Sequence, residues 1–338
     1  MENNFNAETE VFDFGYSKKQ LEKKSIKRVS AAIGAAFIFM ILLPQIFSII
    51  VVDLAALTGT TVILNDLLAD ALFNRVLNIV LAILSFIVPF LFVPRGLGSS
   101  ASKTIRFSKA EKGTLLPVIF LGLGFCAFGN IATTTASQIF ASFGIEFYSY
   151  PMAEAKGAIG IVLALLATAV TPALVEEFAM RGVTLGALKP FGEGFAILIS
   201  ALIFGLMHRN FVQIPFAFIV GLALGFAVVK TKSIWSAIII HFINNAVSVL
   251  LDSLFNQIQS QTAETIILSV YFIVCFILFF VGILLTRNKE DFWKLEKTQT
   301  ELTYKEKVKH FFLSPFMIIA LFLTIIESLS NVGLSFLK

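Results

Sequence analysis

GAIGIVLALLATAVTPALVEEFAMRGVTLGAL, residues 157–188, is the stretch whose reading decides the fold. From 157 to 175 it carries no charge, and an apolar run near twenty residues is the mark of a helix that crosses a bilayer. Glu176, Glu177 and Arg181 then fall inside the same run. Charge at membrane depth is expensive and rarely present without a task. One stretch therefore points to a membrane helix and to a candidate site upon it.

The rest of the chain agrees with the first half of that reading. Of 338 residues, 57% are hydrophobic and only 14% charged, against about 25% charged in a soluble domain. Mean hydropathy is +0.87. Charge-free runs recur at about nine places, roughly 31–52 (broken by Pro44), 76–93, 115–143, 157–188, 195–207, 211–229, 234–251, 265–285 and 311–332. The fold class implied is all-α, a polytopic transmembrane bundle. Three regions follow: 1–156, a tail and three spans; 157–252, a core holding the charged cluster; and 253–338, further spans around a charged surface segment. Between the first two spans, 53–75 suggests a short interfacial helix. The run 287–310 suggests a surface helix with Phe292 and Trp293 at the interface. Asn130, Thr133, Thr134, Thr135 and Gln138 suggest that the third span faces other helices.

Net charge is +4, and the basic residues sit beside the spans, which points to topology and anionic lipid and not to nucleic acid. The amino-terminal lysines, the loop with Arg95, Lys103, Arg106, Lys109 and Lys112, then Lys189, Lys230, Lys232 and the segment after Arg287 share one side if nine spans alternate. That side is expected to be cytoplasmic, with Asp53, Asp66, Glu146, Glu154, Asp252 and Glu264 opposite. The expected location is the plasma membrane of a prokaryote. Cys126 and Cys275 lie in separate apolar runs and read as core residues, with no CxxC pattern. The start resembles no cleaved signal peptide, and the terminal GLSFLK lacks the cysteine of a prenylation substrate.

In an α-helix, successive residues turn by about 100°. Glu177 and Arg181, four apart, share a face and can pair. Glu176 points elsewhere and keeps no local partner, so it can take a proton from water and return it. Pro172 loosens the helix at the start of the cluster. Downstream, His208 lies one turn after Phe204, which can pack on the imidazole, and His241 and Asn245 share a face on a later span. Two donors on one face can hold an oxyanion. Measured from the expected cytoplasmic edge, Glu176, His208, His241 and Asn245 lie at about 12 to 21 Å depth, within a core about 30 Å thick. His310, at a membrane boundary, reads as an interface residue.

In order, the motifs are Glu176-Glu177-Phe-Ala-Met-Arg181, Phe204-Gly-Leu-Met-His208 and His241-Phe-Ile-Asn-Asn245. EExxxR, FxxxH and HxxxN on successive membrane helices resemble the CPBP group, the CAAX proteases and bacteriocin-processing enzymes, and within it the type II CAAX prenyl endopeptidases. The resemblance covers roughly 157–251. It implies an intramembrane glutamate endopeptidase without a cofactor. Glu176 would activate water, His208 would position it, His241 and Asn245 would steady the oxyanion, and Glu177 and Arg181 would orient the site. Partners implied are a protein or peptide substrate, either a lipidated CAAX-type protein or a bacteriocin or leader peptide, together with membrane lipid. Three alternatives stand beside it. One is a zinc peptidase with Glu176, His208 and His241 as ligands, although HExxH is absent. Another is a proton-coupled carrier, unsupported by any inverted repeat. The last is a non-catalytic bacteriocin immunity or scaffold protein.

Overall fold

The structure, a computed structural model, describes residues 16–100, 104–105, 107–147, 157–258 and 260–334. Lys103, Arg106, Glu154 and the last four residues of GLSFLK lie outside the described residues. Every apolar run is helical. The helices are α1 (Lys18–Thr58), α2 (Thr61–Ala69), α3 (Ala71–Gly96), α4 (Leu115–Ser142), α5 (Gly157–Phe191), α6 (Glu193–Leu206), α7 (Gln213–Thr231), α8 (Trp235–Phe255), α9 (Gln261–Thr286), α10 (Tyr304–Phe312) and α11 (Pro315–Ser330). The protein is an all-α polytopic bundle. Among the described residues seven helices are long and apolar enough to cross a membrane, or eight if α10 and α11 count as one span bent by 71°.

The expected count of about nine falls to seven or eight for two physical reasons. Helix α6 has 14 residues, about 21 Å at 1.5 Å per residue, short of a core about 30 Å thick. The last run is divided at Ser314, after which Pro315 opens a new helix at a position where its missing N–H costs nothing. Helix α10 lies outside that span as a separate amphipathic turn.

Pro44 does not break α1, which runs on for 41 residues. Inside a bundle, neighbouring helices re-satisfy the carbonyl that proline leaves free. The charged run 287–310 is also not one surface helix. It makes a short turn at Glu290–Phe292, has no regular structure from 294 to 300, and becomes helical at Tyr304. Phe292 is buried, and Trp293 stacks on Phe226 with centroids 5.7 Å apart. Lys307 reaches back to donate to the carbonyl of Phe191 at 2.7 Å, closing the C-terminal end of α5.

Helix α4 is divided lengthwise. Its first half is buried, with glycines that let other helices close in; a Cβ at Gly122 would stand 2.6 Å from Ile240. Its second half is exposed at Thr134, Thr135 and Gln138, contrary to the expectation that this face meets other helices. The threonines satisfy themselves within the helix, donating to the carbonyls of Asn130 and Ile131 at 3.1 and 2.9 Å. After Gly144, at φ 68°, Ile145–Phe147 (β1) pairs antiparallel with Val332–Leu334 (β2). This small clasp, absent from the sequence reading, joins the end of α4 to the end of α11.

The larger apolar core gathers α1, α3, α5, α6 and α11, and a smaller one gathers α4, α7 and α8. Helix α7 lies centrally, with 56% of its apolar window buried, and α9 lies outermost with 11%. The candidate residues sit on α5, at the tip between α6 and α7, and on α8.

Candidate active site

The site is built on an irregular helix. Within α5, Leu165–Val170 and Phe178–Thr184 are π-helical turns, and the segment between them, Thr171–Glu177, is α-helical. Such wide turns are rare, and are frequently found at functional sites. Pro172 has no N–H, so the carbonyl four residues earlier, on Thr168, receives no α-helical bond from it. Asn245 Nδ2, on α8, donates to that carbonyl at 3.0 Å. The proline thus does more than loosen the helix. It leaves an acceptor that a neighbouring helix takes up.

Glu177 is fully buried, and Arg181 is 2% accessible. Arg181 Nη1 donates to Glu177 Oε1 at 2.9 Å, and Nη2 donates to the carbonyl of Gly221 on α7 at 3.3 Å. The guanidinium lies 4.1 Å over the Phe204 ring, a cation–π arrangement. His241 Nδ1 meets the same Oε1 at 2.8 Å. One carboxylate oxygen therefore holds an arginine of its own helix and a histidine of α8. A Cβ at Gly221 would stand 3.0 Å from Ala201, so a small residue is needed to bring that carbonyl to Arg181.

Glu176, its neighbour, is in different circumstances. Oε2 of each glutamate is buried with no partner among the described residues, but Glu176 makes no hydrogen bond or ion pair through its other oxygen either, and its carboxylate lies within electrostatic range of His241 and Arg181. A buried carboxylate oxygen without a protein partner is a group able to bind and activate water.

His208 stands at the tip of the α6–α7 hairpin. Its Nδ1 meets the carbonyl of Phe204 at 2.8 Å, and the Phe204 ring meets both imidazoles edge-on, at 5.1 Å for His208 and 5.9 Å for His241. These contacts fix the tautomers. A carboxylate and a carbonyl only accept, so Nδ1 carries the proton in both rings. Each neutral ring then presents Nε2 as an acceptor, and as a donor only in the imidazolium form. Asn245 accepts from Asn244 Nδ2 at 3.0 Å on Oδ1 and keeps its second amide hydrogen uncommitted.

The structure thus brings Glu177, Arg181 and His241 into direct contact, and joins Asn245 to α5 through Thr168. It puts His208 beside them through Phe204 and Glu176 within range of His241. Among the described residues no three His, Cys, Asp or Glu side chains form a group suited to a metal ion. An apolar groove of about 610 Å³ lies on another face, among Ile38, Leu42, Phe47, Leu84 and Phe316. None of the candidate residues lines it.

Residues 158–247 match a family model described as Type II CAAX prenyl endopeptidase Rce1-like. Over this stretch the chain is similar to that family. The Rce1-like segment opens within α5, closes within α8, and holds Glu176, Glu177, Arg181, His208, His241 and Asn245. A relative from Bacillus subtilis (strain 168), "Putative membrane peptidase YdiL", is 27% identical over 107 residues, which is 31% of this chain. The alignment spans 44% of that relative, less than half its length. No solved structure matches the chain. Together with the apolar helices, the Rce1-like segment makes this an integral, multi-pass membrane protein.

Two residues near the candidate site were not singled out from the sequence. Arg209, next to His208, pairs with Glu327 of α11, with Nη1 and Oε2 2.7 Å apart. The rule that flagged Glu176 applies equally to Glu327, the one charge in PFMIIALFLTIIESLS.

Proposed function

We propose that the protein is a membrane peptidase that hydrolyses a peptide bond of a membrane-associated protein or peptide with water activated by Glu176. The observation that carries this reading is the contrast between the two glutamates. Glu177 spends one oxygen on both Arg181 and His241, while the Glu176 carboxylate makes no hydrogen bond or ion pair among the described residues and lies within electrostatic range of the oriented His241 imidazole. An ion-pair lock between helices needs only the first.

The chemistry follows from these atoms. Glu176 takes a proton from water as the water oxygen bonds to the scissile carbonyl carbon. His208, with its Nδ1 proton on the Phe204 carbonyl, offers the Nε2 lone pair to the second water hydrogen and orients the attack. The carbonyl electrons move to oxygen. Asn245 supplies its uncommitted amide hydrogen to that oxyanion, joined by His241 Nε2 when the ring is protonated. The tetrahedral carbon then collapses, the C–N bond breaks, and Glu176 returns its proton to the departing amine. Products are a carboxylic acid and an amine, which become carboxylate and ammonium when the second water proton passes from the acid to the amine, with no proton gained or lost by the enzyme. Glu177 and Arg181 act by holding His241 in register.

The substrate class is a CAAX-type lipidated protein or a bacteriocin or leader peptide. The amino terminus faces the cytoplasm, in a prokaryotic plasma membrane. The test is cleavage of a prenylated CAAX peptide and a panel of leader peptides by purified protein, wild type against Glu176→Gln, with and without chelator. The expected result is chelator-resistant cleavage that falls about 10³-fold or more in the variant. Cleavage abolished by chelator would replace this mechanism with a zinc peptidase. Well-folded wild type that cleaves nothing in the panel would favour a non-catalytic immunity or scaffold role.

A further inference from the structure

The hairpin tip that carries His208 is an unusual piece of membrane backbone. Helix α6 ends at Leu206, about 21 Å from its start, so residues 207–212 turn back at membrane depth without regular structure. Irregular backbone at that depth persists only where its polar groups are satisfied by protein or by a watered cavity. Here the amides of His208, Arg209 and Val212 donate to Gly205, Leu206 and the Asn210 side chain at 3.2, 3.1 and 2.9 Å. Arg209 sits at φ 52°, a left-handed conformation that a non-glycine residue keeps only when its surroundings impose it.

What imposes it comes from outside the Rce1-like segment. Glu327 on α11 accepts from Arg209 Nη1 at 2.7 Å on Oε2 and from Gln45 of α1 at 3.0 Å on Oε1. Asn331 Nδ2 donates to the carbonyl of Arg209 at 3.5 Å and to that of Glu327 at 3.1 Å. Both carboxylate oxygens are used: Glu327 and Asn331 reach Arg209 from the end of α11, and Gln45 of α1 braces Glu327. We infer that Glu327 is a positioning residue. Through Arg209 it fixes the turn that aims His208, so that α1 and α11 form part of the frame of the active site.

A simple structural tie between helices explains the pair less well. Helices α1 and α11 already meet closely without it. A Cβ on Gly34 would stand 2.6 Å from the backbone nitrogen of Met317, and Ser30 and Ser314 hydroxyls are 2.6 Å apart. The β1–β2 clasp fixes the far end of α11. The ion pair adds little to holding α11 in place, and a great deal to holding Arg209.

The kinetic consequence rests on the peptidase reading, whereas the structural one does not, and the experiment measures both. Full-length protein in detergent or nanodiscs is followed by amide hydrogen exchange over 205–212 and by peptide cleavage. In Glu327→Gln, exchange at the tip is expected to quicken about tenfold or more with α7 still protected. kcat is expected to fall about 10- to 100-fold with KM within about twofold, as for a displaced catalytic group. Arg209→Gly removes the backbone strain together with the side chain and should behave like Glu327→Gln, while Arg209→Lys keeps most activity. Tip exchange unchanged in both Glu327→Gln and Arg209→Gly overturns the inference, whether or not the protein cleaves peptides. Protection lost throughout the bundle also overturns it, in favour of a general structural role. Quickened tip exchange in Glu327→Gln, together with a wild type that cleaves nothing, leaves the clamp standing and removes the peptidase.

Discussion

Two arginine–glutamate pairs flank the candidate site, and they differ in almost every physical respect. Glu177–Arg181 spans one turn of one helix, with both side chains fully buried. Arg209–Glu327 joins residues 118 apart, with side chains 33% and 23% accessible. The first carries a histidine on its carboxylate and a backbone carbonyl on its guanidinium. The second carries a glutamine and shapes a turn. A buried pair is costly to break because the survivor is left as an uncompensated charge. A half-exposed pair relaxes into its surroundings at little cost. The first pair should therefore govern stability, and the second the geometry of one loop.

Arg181→Ala sharpens that contrast most. It strands the Glu177 carboxylate in the core and is expected to lower stability by about 3–5 kcal/mol, a typical result for half of a buried ion pair. Glu327→Gln, in the same thermal unfolding assay in detergent, should cost about 1 kcal/mol or less. Equal losses in the two variants would sink the distinction.

His241→Ala comes next. It removes an imidazole held by Glu177, and loss of one oxyanion donor costs about 10²–10³ in kcat. The variant should fold, because Glu177 keeps Arg181. A KM effect with kcat preserved would move His241 from the reaction to substrate binding. Asn245→Ala is expected to lower kcat and also to cost about 1 kcal/mol of stability, since it removes the side-chain donor from the half-buried Thr168 carbonyl that Pro172 cannot reach. Restoring a donor at that carbonyl with Pro172→Ala should recover stability but not kcat. Recovery of both would mean that Asn245 serves the helix alone.

How much of this was legible follows from the range of each interaction. Glu177–Arg181 is an i, i+4 pair, and local spacing finds it. His208 meets the carbonyl of Phe204, also four residues away. The α-helical pitch of Thr171–Glu177 keeps the adjacent glutamates on different faces, which is why the one left unpaired could be named. The π turns on either side could not be read, because no residue type marks them; Pro172 hinted at disturbance without saying that Asn245 would answer it. Glu327 and Gln45 meet Arg209 only through tertiary packing, and no periodicity connects residues so far apart. The membrane spans were legible because apolar length is a direct consequence of bilayer thickness. The shortfall of α6 was the exception, since a short run reads as a poor span before it reads as a hairpin arm.

The smallest expected effect lies furthest from the site, and it tests whether surface charge in this protein is local in its consequences. Helix α10 opens on a capping box. The Thr303 hydroxyl accepts from the amide of Glu306 at 3.3 Å, and Glu306 Oε2 accepts from the amide of Thr303 at 2.8 Å. Lys19 lies 2.7 Å from the other carboxylate oxygen. The Lys19 contact first, and then the Thr303 bonds, hold the Glu306 carboxyl down at about 2, from an ordinary 4.5. A carboxyl depressed in the folded state contributes stability above its unfolded value, and that contribution is lost as pH falls through the folded one. Capping of α10 should therefore stay intact down to pH about 4.5 and disappear between there and about 2. Amide exchange over 304–307 would report it, and Glu306→Gln should flatten the profile. Because the residue is exposed and the interaction screened, 0.5 M salt should weaken the effect as well. The tip at 207–212 should exchange identically across that pH window in the Glu306→Gln variant and wild type. If it does not, α10 and the active-site turn are coupled through α11, and the frame around His208 extends to the capping box of α10.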